Sequence, residues 1–343
     1  MFQTFSRGKA SVGIDLTTSG GHEALLRLVE TADVFLTNYL PRVRQKLRID
    51  VDDLIAVNPR LVYARGSGLG PEGAEADTGG FDLASYWSRG GLAYLTAEKG
   101  AQWPPPMPGA AFGDLQSGLY AAGGVAAALL ARERTGDHQV IDVSLLGAAI
   151  WATAPHIAAT SLYDIDAMPR GEHATANNPI SNTYRTADDR FVALVMLESD
   201  RFWATLVELM DRPDLAADPR FCDAASRAAN NVACIAELDK VFSSRPLAEW
   251  CDILSRQRGV WAVVQSPQEA ANDPQVVANR YVGQIIFDDD LKLNVAMSPI
   301  QFNGDQPTPN HAPDLGADTD RVLLEAGYDW DQLIKLKTEG AIT

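Results

Sequence analysis

The sequence of 343 residues lacks the features that identify membrane, secreted and metal-binding proteins. Its longest uncharged apolar run, Leu119–Leu130, falls short of the roughly 20 residues that span a bilayer, and its N-terminal segment has no signal-peptide core. It has only three cysteines, Cys222, Cys234 and Cys251, and none of them has CxxC spacing. The sequence therefore predicts a cytosolic protein with no disulfide framework, no metal site and three buried thiols in helical segments.

Positive charge is also scarce, with 29 Lys and Arg against 45 Asp and Glu and a formal net charge of −16. This balance argues against nucleic acid and anionic membranes as partners. A local exception is the segment in which Arg42, Arg44, Lys46 and Arg48 alternate with uncharged residues. It fits a solvated helix face or a basic lip for a polyanionic ligand equally well.

Residues 11–65 alternate between strand-like and helix-like segments. Strands are predicted over 11–16 and in the segments VFLTN and LVYARGSG, with helices over 21–30 and 51–57. This βαβαβ pattern predicts an α/β fold with a parallel sheet. Ligands of such sheets bind at loops that follow strand C-termini, and Asn38-Tyr39 is such a loop.

The length allows two domains, and the pattern of segments suggests where they lie. A large α/β domain is predicted over 1–146 and a smaller α+β domain over 181–275, joined by a connector over 147–180. Residues 276–343 are predicted to be a linker that returns to the large domain. Within the smaller domain we expect a hairpin that turns at 187–189 and helices near 199–210, 226–242 and 246–257.

One glycine-rich motif resembles a dinucleotide-binding site but lacks the helix that such a site requires. Gly68–Gly73 matches G-x-G-x-x-G and follows a predicted strand, as in dinucleotide-binding domains. Those domains open a helix at the third glycine, whereas Pro71 and the turn-like AEADTGG stand here. The glycines are therefore expected to provide turns or backbone room near a ligand, without a nicotinamide or flavin site.

The segment 109–146 carries the strongest chemical signal. Asp114 stands at the start of an Ala/Gly-rich apolar helix that ends in Arg132, Arg134 and Gly136. Free backbone N–H groups and the helix dipole would hold this carboxylate ionised, as a nucleophile requires, although a structural N-cap has the same pattern. Because Leu119–Leu130 has no charge, the helix is expected to be buried on all sides, with its N-terminus opening into a cleft.

Several segments together resemble the class III CoA-transferases (CaiB/BaiF), which include formyl-CoA transferase and carnitine CoA-transferase and have the 2-methylacyl-CoA racemases as relatives. The likeness runs from about Ser6 to Thr343. It rests on the G-D-x-x-x-G pattern at Gly113–Gly118 and on the segments SRGKASVGIDLTTSGG, ADVFLTNYLPRVRQKL and NPRLVYARGSGLGPEG. The resemblance implies a Rossmann-like large domain, an interlocked homodimer and Asp114 as the acyl-carrying nucleophile. It also implies that Ile14, Asn38, Tyr39 and Lys46 contribute to CoA binding.

The sequence departs from the family in three places. Phe81-Asp82 stands where the racemase branch has a His–Asp pair, which favours a transferase and leaves Asp82 as a participant in the transfer or an N-cap. NNPISNTY replaces the tetraglycine loop of formyl-CoA transferase, which argues against a formyl- or oxalate-specific enzyme. Relatives begin with one further strand–helix–strand unit, so we expect an upstream start, a second chain that completes the sheet, or impaired activity.

The predicted function is CoA transfer from an acyl-CoA to a small carboxylic acid, through an aspartyl anhydride and an aspartyl-CoA thioester on Asp114. Coenzyme A is then a substrate, no cofactor is bound permanently, and Phe81 and Asp82 lie at the CoA site. Loop 66–113 and the second domain would exclude water from the intermediates. The alternatives are an acyl-CoA racemase or isomerase that uses Asp114 as base, and a non-catalytic CoA-binding subunit.

Overall fold

A computed structural model describes residues 2–98, 100–169, 171–288 and 290–343. The chain forms two compact units, Met1–Met168 with Pro309–Thr343 and Pro169–Thr308. The helices of the first unit are α1 (Phe2–Ser6), α2 (Ser19–Val29), α3 (Pro41–Leu47), α4 (Val51–Ile55), α5 (Leu92–Thr96), α6 (Phe112–Thr135), α7 (Leu145–Ala152), α8 (Ala154–Tyr163), α16 (Thr319–Glu325) and α17 (Trp330–Thr338). A π-helical segment spans Asp82–Ser88.

The first unit contains a parallel sheet in the order β1 (Val34–Thr37), β2 (Val62–Ser67), β3 (Gln139–Ser144). Val62 pairs with Val34 on one side and with Gln139 on the other. The buried Leu61, Val62, Tyr63 and Ala64 make β2 the apolar centre of the sheet. This confirms the predicted α/β fold with a parallel sheet, because central strands covered on both faces consist of continuous apolar residues.

The predicted strand over 11–16 is not part of this sheet. Ile14 forms an isolated antiparallel bridge with Ile342, and Asp15 N donates to Ala341 O at 2.9 Å. Thr343 N returns a hydrogen bond to Gly13 O at 3.1 Å. The prediction of a parallel strand here was wrong, because these backbone groups pair with the last residues of the chain.

Helix α6 packs one face against β2 and β3, where the position of a Cβ on Gly124 would lie 3.1 Å from Ile141. Its other face is open in the single chain, since Leu119 is 49 % and Leu130 53 % exposed. The expectation of all-round burial was therefore wrong for the chain by itself. The helix ends as predicted at Gly136, whose positive φ of 82° lets its N–H bond Arg132 O at 2.8 Å.

The second unit has its own sheets and core. Strands β4 (Thr183–Arg185), β5 (Phe191–Val195) and β6 (Val260–Val263) form an antiparallel sheet, and β7 (Val282–Ile286) pairs with β8 (Lys292–Ala296). Its helices are α9 (Ser199–Leu209), α10 (Asp214–Ala217), α11 (Ala224–Ala229), α12 (Asn231–Phe242), α13 (Leu247–Leu254), α14 (Pro267–Ala271) and α15 (Pro274–Ala278), with a 3₁₀ turn at His173–Thr175. The hairpin predicted at 187–189 connects β4 to β5.

Three further differences concern the connector, one helix and the thiols. Residues 147–180, predicted to be a connector, contain α8 and most of α7, and the helix predicted over 226–242 is divided at Asn230 into α11 and α12. Cys234 is buried, but Cys251 is half-buried and Cys222 is exposed in a turn before α11, so burial of all three thiols was a wrong prediction. Among the described residues no single helix has the length and apolarity to cross a membrane, although α7 and α8, bent by 64°, satisfy that test as a pair.

Candidate active site

A cleft of about 710 Å³ lies in the first unit, at the C-terminal ends of β1 and β2 and beside the first turns of α6. This is where the parallel arrangement predicts a ligand. Its apolar walls come from Leu36, Leu40, Ala64, Phe81, Ala121, Ile141, Val143 and Leu145. Polar groups come from Thr37, Asn38, Arg65, Ser67, Asp114 and Ser117, and glycines 66, 68, 79, 80 and 118 complete the lining.

Asp114 is the third residue of α6 and lies on the cleft wall. Among the described residues its carboxylate has no hydrogen-bond or ion-pair partner. Partial burial and the charge of Asp82 raise the pKa of Asp114 above its ordinary value. The expectation that backbone N–H groups hold this carboxylate ionised was therefore wrong: the carboxylate is unpaired and more basic than an ordinary aspartate.

The N-terminus of α6 is capped by Asp82 rather than by Asp114. Its carboxylate is buried, with 7 % exposure, and both oxygens accept from Gly113 N at 3.0 and 3.1 Å. Asp82 thus caps α6 from the π-helical segment, 31 positions earlier in the chain. A carboxylate in this place satisfies an otherwise unpaired helix N–H and interacts favourably with the positive end of the helix dipole.

Glycine is required at position 113 by this close approach. A Cβ there would lie 2.2 Å from Tyr86 Cγ and 2.5 Å from Asp82 Oδ1. Tyr86 is buried and donates from its hydroxyl to Gln116 Oε1 at 2.8 Å. The glycine of the G-D pair therefore lets the π-helical segment lie directly against the first turn of α6 and fixes where Asp114 stands.

The glycine-rich segment after β2 provides backbone room, as predicted. A Cβ on Gly68 would lie 2.5 Å from the Cα of Gly80, so the backbones of the loop segments around these two glycines are in contact. Gly70 and Gly73 have positive φ angles of 110° and 89°, and the chain continues in turns rather than a helix. The geometry of a dinucleotide-binding helix start is absent from this described segment.

The residues predicted to contact CoA are not all in one place. Asn38 and Phe81 line the cleft with Asp114, and Phe81 is 82 % exposed. Tyr39 is exposed directly after Asn38, outside the set of lining residues. Lys46 is exposed on α3, and Ile14 packs against the core formed with α16 and α17. Asp82 contacts the helix start rather than the cleft space.

Two of the four basic side chains in the segment 42–48 form hydrogen bonds or ion pairs within the protein. Arg44 is buried and donates from Nε to Asp50 Oδ1 at 3.1 Å and from Nη1 to Tyr39 O at 2.7 Å. Arg42 is paired with Asp77 at 3.2 Å. Only Lys46 and Arg48 of the four remain exposed without an ion pair among the described residues, so neither a solvated face nor a basic lip describes the whole segment.

Two cleft features were not predicted from the sequence. Arg65, the fourth of the six residues of β2, forms a two-pronged ion pair with Asp142 on β3, with Nε–Oδ1 at 2.8 Å and Nη2–Oδ2 at 2.7 Å. Ser117, one helical turn after Asp114, has a buried hydroxyl with no hydrogen-bond partner in the described part of the chain. The sequence signal for Arg65 was a charged residue within an otherwise uncharged strand, and that for Ser117 was its i, i+3 spacing from Asp114. No group of three or more His, Cys, Asp or Glu able to hold a metal occurs among the described residues.

Comparison with known proteins gives a consistent result. The model of the family described as "CoA-transferase family III" matches residues 1–319. The chain is 27 % identical to an (R)-2-hydroxy-4-methylpentanoate CoA-transferase of Clostridioides difficile, over 98 % of this chain and 84 % of the relative. It is 28 % identical to an alpha-methylacyl-CoA racemase of Mus musculus, over 97 % and 85 %. The crystal structure of a CaiB/BaiF family protein from Brucella suis superposes with a TM-score of 0.81 at 25 % identity, covering 95 % of this chain and 83 % of that one.

Proposed function

Since the chain belongs to CoA-transferase family III and is a CoA-transferase, we propose that it moves CoA from an acyl-CoA to a carboxylic acid through covalent chemistry on Asp114. The observation that carries this proposal is the unpaired carboxylate at the wall of a largely apolar cleft, with its pKa raised by partial burial and by Asp82. A carboxylate made more basic is a better nucleophile and remains free to attack.

The proposed reaction has two symmetric halves. An Asp114 carboxylate oxygen attacks the thioester carbon of the donor, the C–S bond breaks, and an acyl-aspartyl anhydride and CoA thiolate result. The thiolate then attacks the aspartyl carbonyl and expels the donor acid as its carboxylate, which leaves an aspartyl-CoA thioester. The acceptor carboxylate repeats both steps in reverse order, so that acyl-CoA leaves and Asp114 is regenerated.

In this proposal the surrounding residues position Asp114 and the substrate rather than act as further acids or bases. The cap from Asp82 to Gly113 holds the first turn of α6, and with it the carboxylate. We propose that Asn38 and Phe81 contact the acyl-thioester end of the substrate, since both line the cleft. Tyr39, Lys46 and Ile14 lie outside that lining, and their contribution to nucleotide binding is proposed from the family resemblance alone.

We also propose a homodimer, interlocked as the family resemblance implies. Helices α7 and α8 carry Trp151, Leu162 and Tyr163 with 71, 73 and 67 % exposure, and Leu119 on α6 is 49 % exposed. Exposed apolar side chains in this number on neighbouring helices indicate a surface that is covered in the assembled protein.

The decisive experiment traps the intermediate. The purified protein is incubated with a panel of acyl-CoAs, treated with hydroxylamine or borohydride, and analysed by intact mass spectrometry and peptide mapping. We expect the hydroxamate or the reduced side chain at Asp114, and neither product in Asp114→Asn. Asp137→Asn, which removes an exposed carboxylate from the loop before β3, is the matched control and should behave as wild type. A modified residue elsewhere, or CoA transfer by Asp114→Asn, would contradict the mechanism.

The racemase alternative has one observation in its favour, the likeness to the mouse racemase. Racemisation next to a thioester needs a base on one face and an acid on the other. The described lining offers Asp114 but no histidine, and Arg65 is held by Asp142. Incorporation of solvent deuterium at the substrate α-carbon without CoA exchange would support a racemase. Binding of CoA by a wild-type protein that forms no adduct would support the non-catalytic alternative.

A further inference from the structure

We propose that the acid exchanged in this cleft is an apolar monocarboxylate and that dicarboxylates are rejected. This inference rests on the proposed function and adds the class of acyl group. It follows from the charges and the walls of the cleft rather than from any relative's substrate.

The described lining of the cleft offers no free positive charge to a second carboxylate. Of the described residues that line it, only Asp114 and Arg65 have ionisable side chains. The reacting carboxyl or thioester group of the substrate must lie beside Asp114, so a second anionic group could be paired only by Arg65.

The positive charge of Arg65 is already paired with the carboxylate of Asp142. Its Nε and Nη2 donate to the two carboxylate oxygens of Asp142 at 2.8 and 2.7 Å, and the two residues are register partners on β2 and β3. This fork geometry satisfies both charges, and its partner raises the pKa of the guanidinium further. A substrate carboxylate would have to displace Asp142, which would then be left as an unpaired anion beside the cleft.

The remaining walls favour an alkyl or aryl group. Leu40, Ile141, Val143 and Leu145 present branched apolar side chains to the cleft, and the volume of about 710 Å³ leaves room for a substituent of several carbons. Transfer of an ionised carboxylate into such surroundings is strongly unfavourable unless it is paired, whereas an alkyl group gains from the same transfer. The buried Asp82, and Asp114 while it is a free carboxylate, also oppose negative charge at this end of the cleft.

The test uses two acids of nearly the same shape. In 4-methylpentanoate an isopropyl group stands where succinate has its second carboxylate. Each acid, carrying ¹³C, is incubated with its own unlabelled CoA ester and the wild-type protein, and the label that enters the CoA ester is measured by mass spectrometry. Exchange within one pair needs no second substrate, so both acids are compared on equal terms.

We expect exchange with 4-methylpentanoate at a kcat/KM about 100-fold or more above that for succinate, because the second charge would be buried unpaired. Equal or faster exchange with succinate would overturn the inference while leaving the CoA-transfer function in place. Label transfer in neither pair, nor with any other acid and its CoA ester, would instead contradict the proposed function on which the inference rests.

A variant tests the role assigned to Arg65. Asp142→Asn keeps the shape of the partner but removes its charge, and so makes the guanidinium available to a substrate carboxylate. The succinate-to-4-methylpentanoate ratio should rise about tenfold, while Asp137→Asn, the same change on an exposed loop, should leave it unaltered. A ratio unchanged in a folded Asp142→Asn protein would overturn the argument from charge.

Discussion

At the scale of single residues, two carboxylates a short distance apart have different tasks. Asp82 is buried and engaged with Gly113, and Asp114 is at the cleft and unengaged. The first places the helix that carries the second, and its charge makes the second more basic. On the proposed mechanism, this arrangement would let an aspartate near a helix N-terminus, where the dipole favours ionisation, keep enough basicity to act as a nucleophile.

The pair predicts a change in pH dependence. Protonated Asp114 cannot attack, so the rate of transfer should fall as the pH drops through its pKa. In Asp82→Asn the amide oxygen can still accept from Gly113 N, but the charge that raises the pKa of Asp114 is gone. The pKa should therefore move down, and the acidic limb of the kcat/KM profile should shift to lower pH, as measured by initial rates across a buffer series.

A second substitution separates charge from position. Asp82→Ala leaves the buried Gly113 N–H without an acceptor and should lower the free energy of unfolding by about 1–3 kcal/mol in urea titrations. Its rate should fall at all pH values, since the helix start is no longer held. If both Asp82→Asn and Asp82→Ala give the same pH profile as wild type, the charge of Asp82 does not raise the pKa of Asp114 and this prediction is wrong.

Only part of the cleft lining could be predicted residue by residue, and the contacts that could not be predicted share one cause. Asp114 was found from the glycine-aspartate pair before an apolar helix, and Asn38 from its place after a strand; both line the cleft. The cap from Asp82 and the pair Arg65–Asp142 join positions 31 and 77 residues apart. Neither local propensity nor motif spacing contains such pairings, because they exist only once the elements are packed.

At the scale of elements, the contact between α6 and the π-helical segment determines the geometry of the site. Phe112 meets the rings of Tyr86 and Trp87 edge-on, each with centroids 6.3 Å apart. Together with the close approach at Gly113, these contacts fix the first turn of α6 from one side. The direction in which Asp114 points is thus set by packing between two elements rather than by its own hydrogen bonds.

This contact predicts a large effect of the smallest substitution. Gly113→Ala would place a Cβ 2.2 Å from the Tyr86 ring, so one element must move. We expect the free energy of unfolding to fall by about 1–3 kcal/mol and CoA transfer to fall more than stability alone explains. Urea titration and initial rates measure the two effects separately.

Gly123 on the same helix supplies the control. A Cβ there meets nothing within 4 Å, so Gly123→Ala should raise the free energy of unfolding by about 0.5–1 kcal/mol through helix propensity. Equal stability of the two alanine variants would show that the approach at Gly113 is not as close as described.

Helices and strands could be predicted where the spacing of apolar residues along the chain determines the secondary structure. The order of α2, β1, α4 and β2 follows from alternating apolar segments, and the hairpin of β4 and β5 from its turn residues. The segment 11–16 has the composition of a strand, yet it pairs with Ile342 at the other end of the chain. The uncharged part of α6, Leu119–Leu130, has the composition of a buried helix, yet one face of it is open in the single chain, because composition does not specify which partner covers a face.

At the scale of the whole molecule, that open apolar surface leads to the last prediction. The 37.0 kDa chain should sediment at twice its mass, with α7 and α8 at the interface between copies. Trp151→Asp combined with Leu162→Asp places two charges on this surface and should give a monomer in sedimentation velocity, since unpaired charges are strongly disfavoured inside an interface. Leu315→Asp, a change of the same kind at a residue 87 % exposed outside these helices, should leave the dimer intact. A monomeric wild-type protein would contradict the proposed dimer, and a dimer that survives the double substitution would place the interface elsewhere.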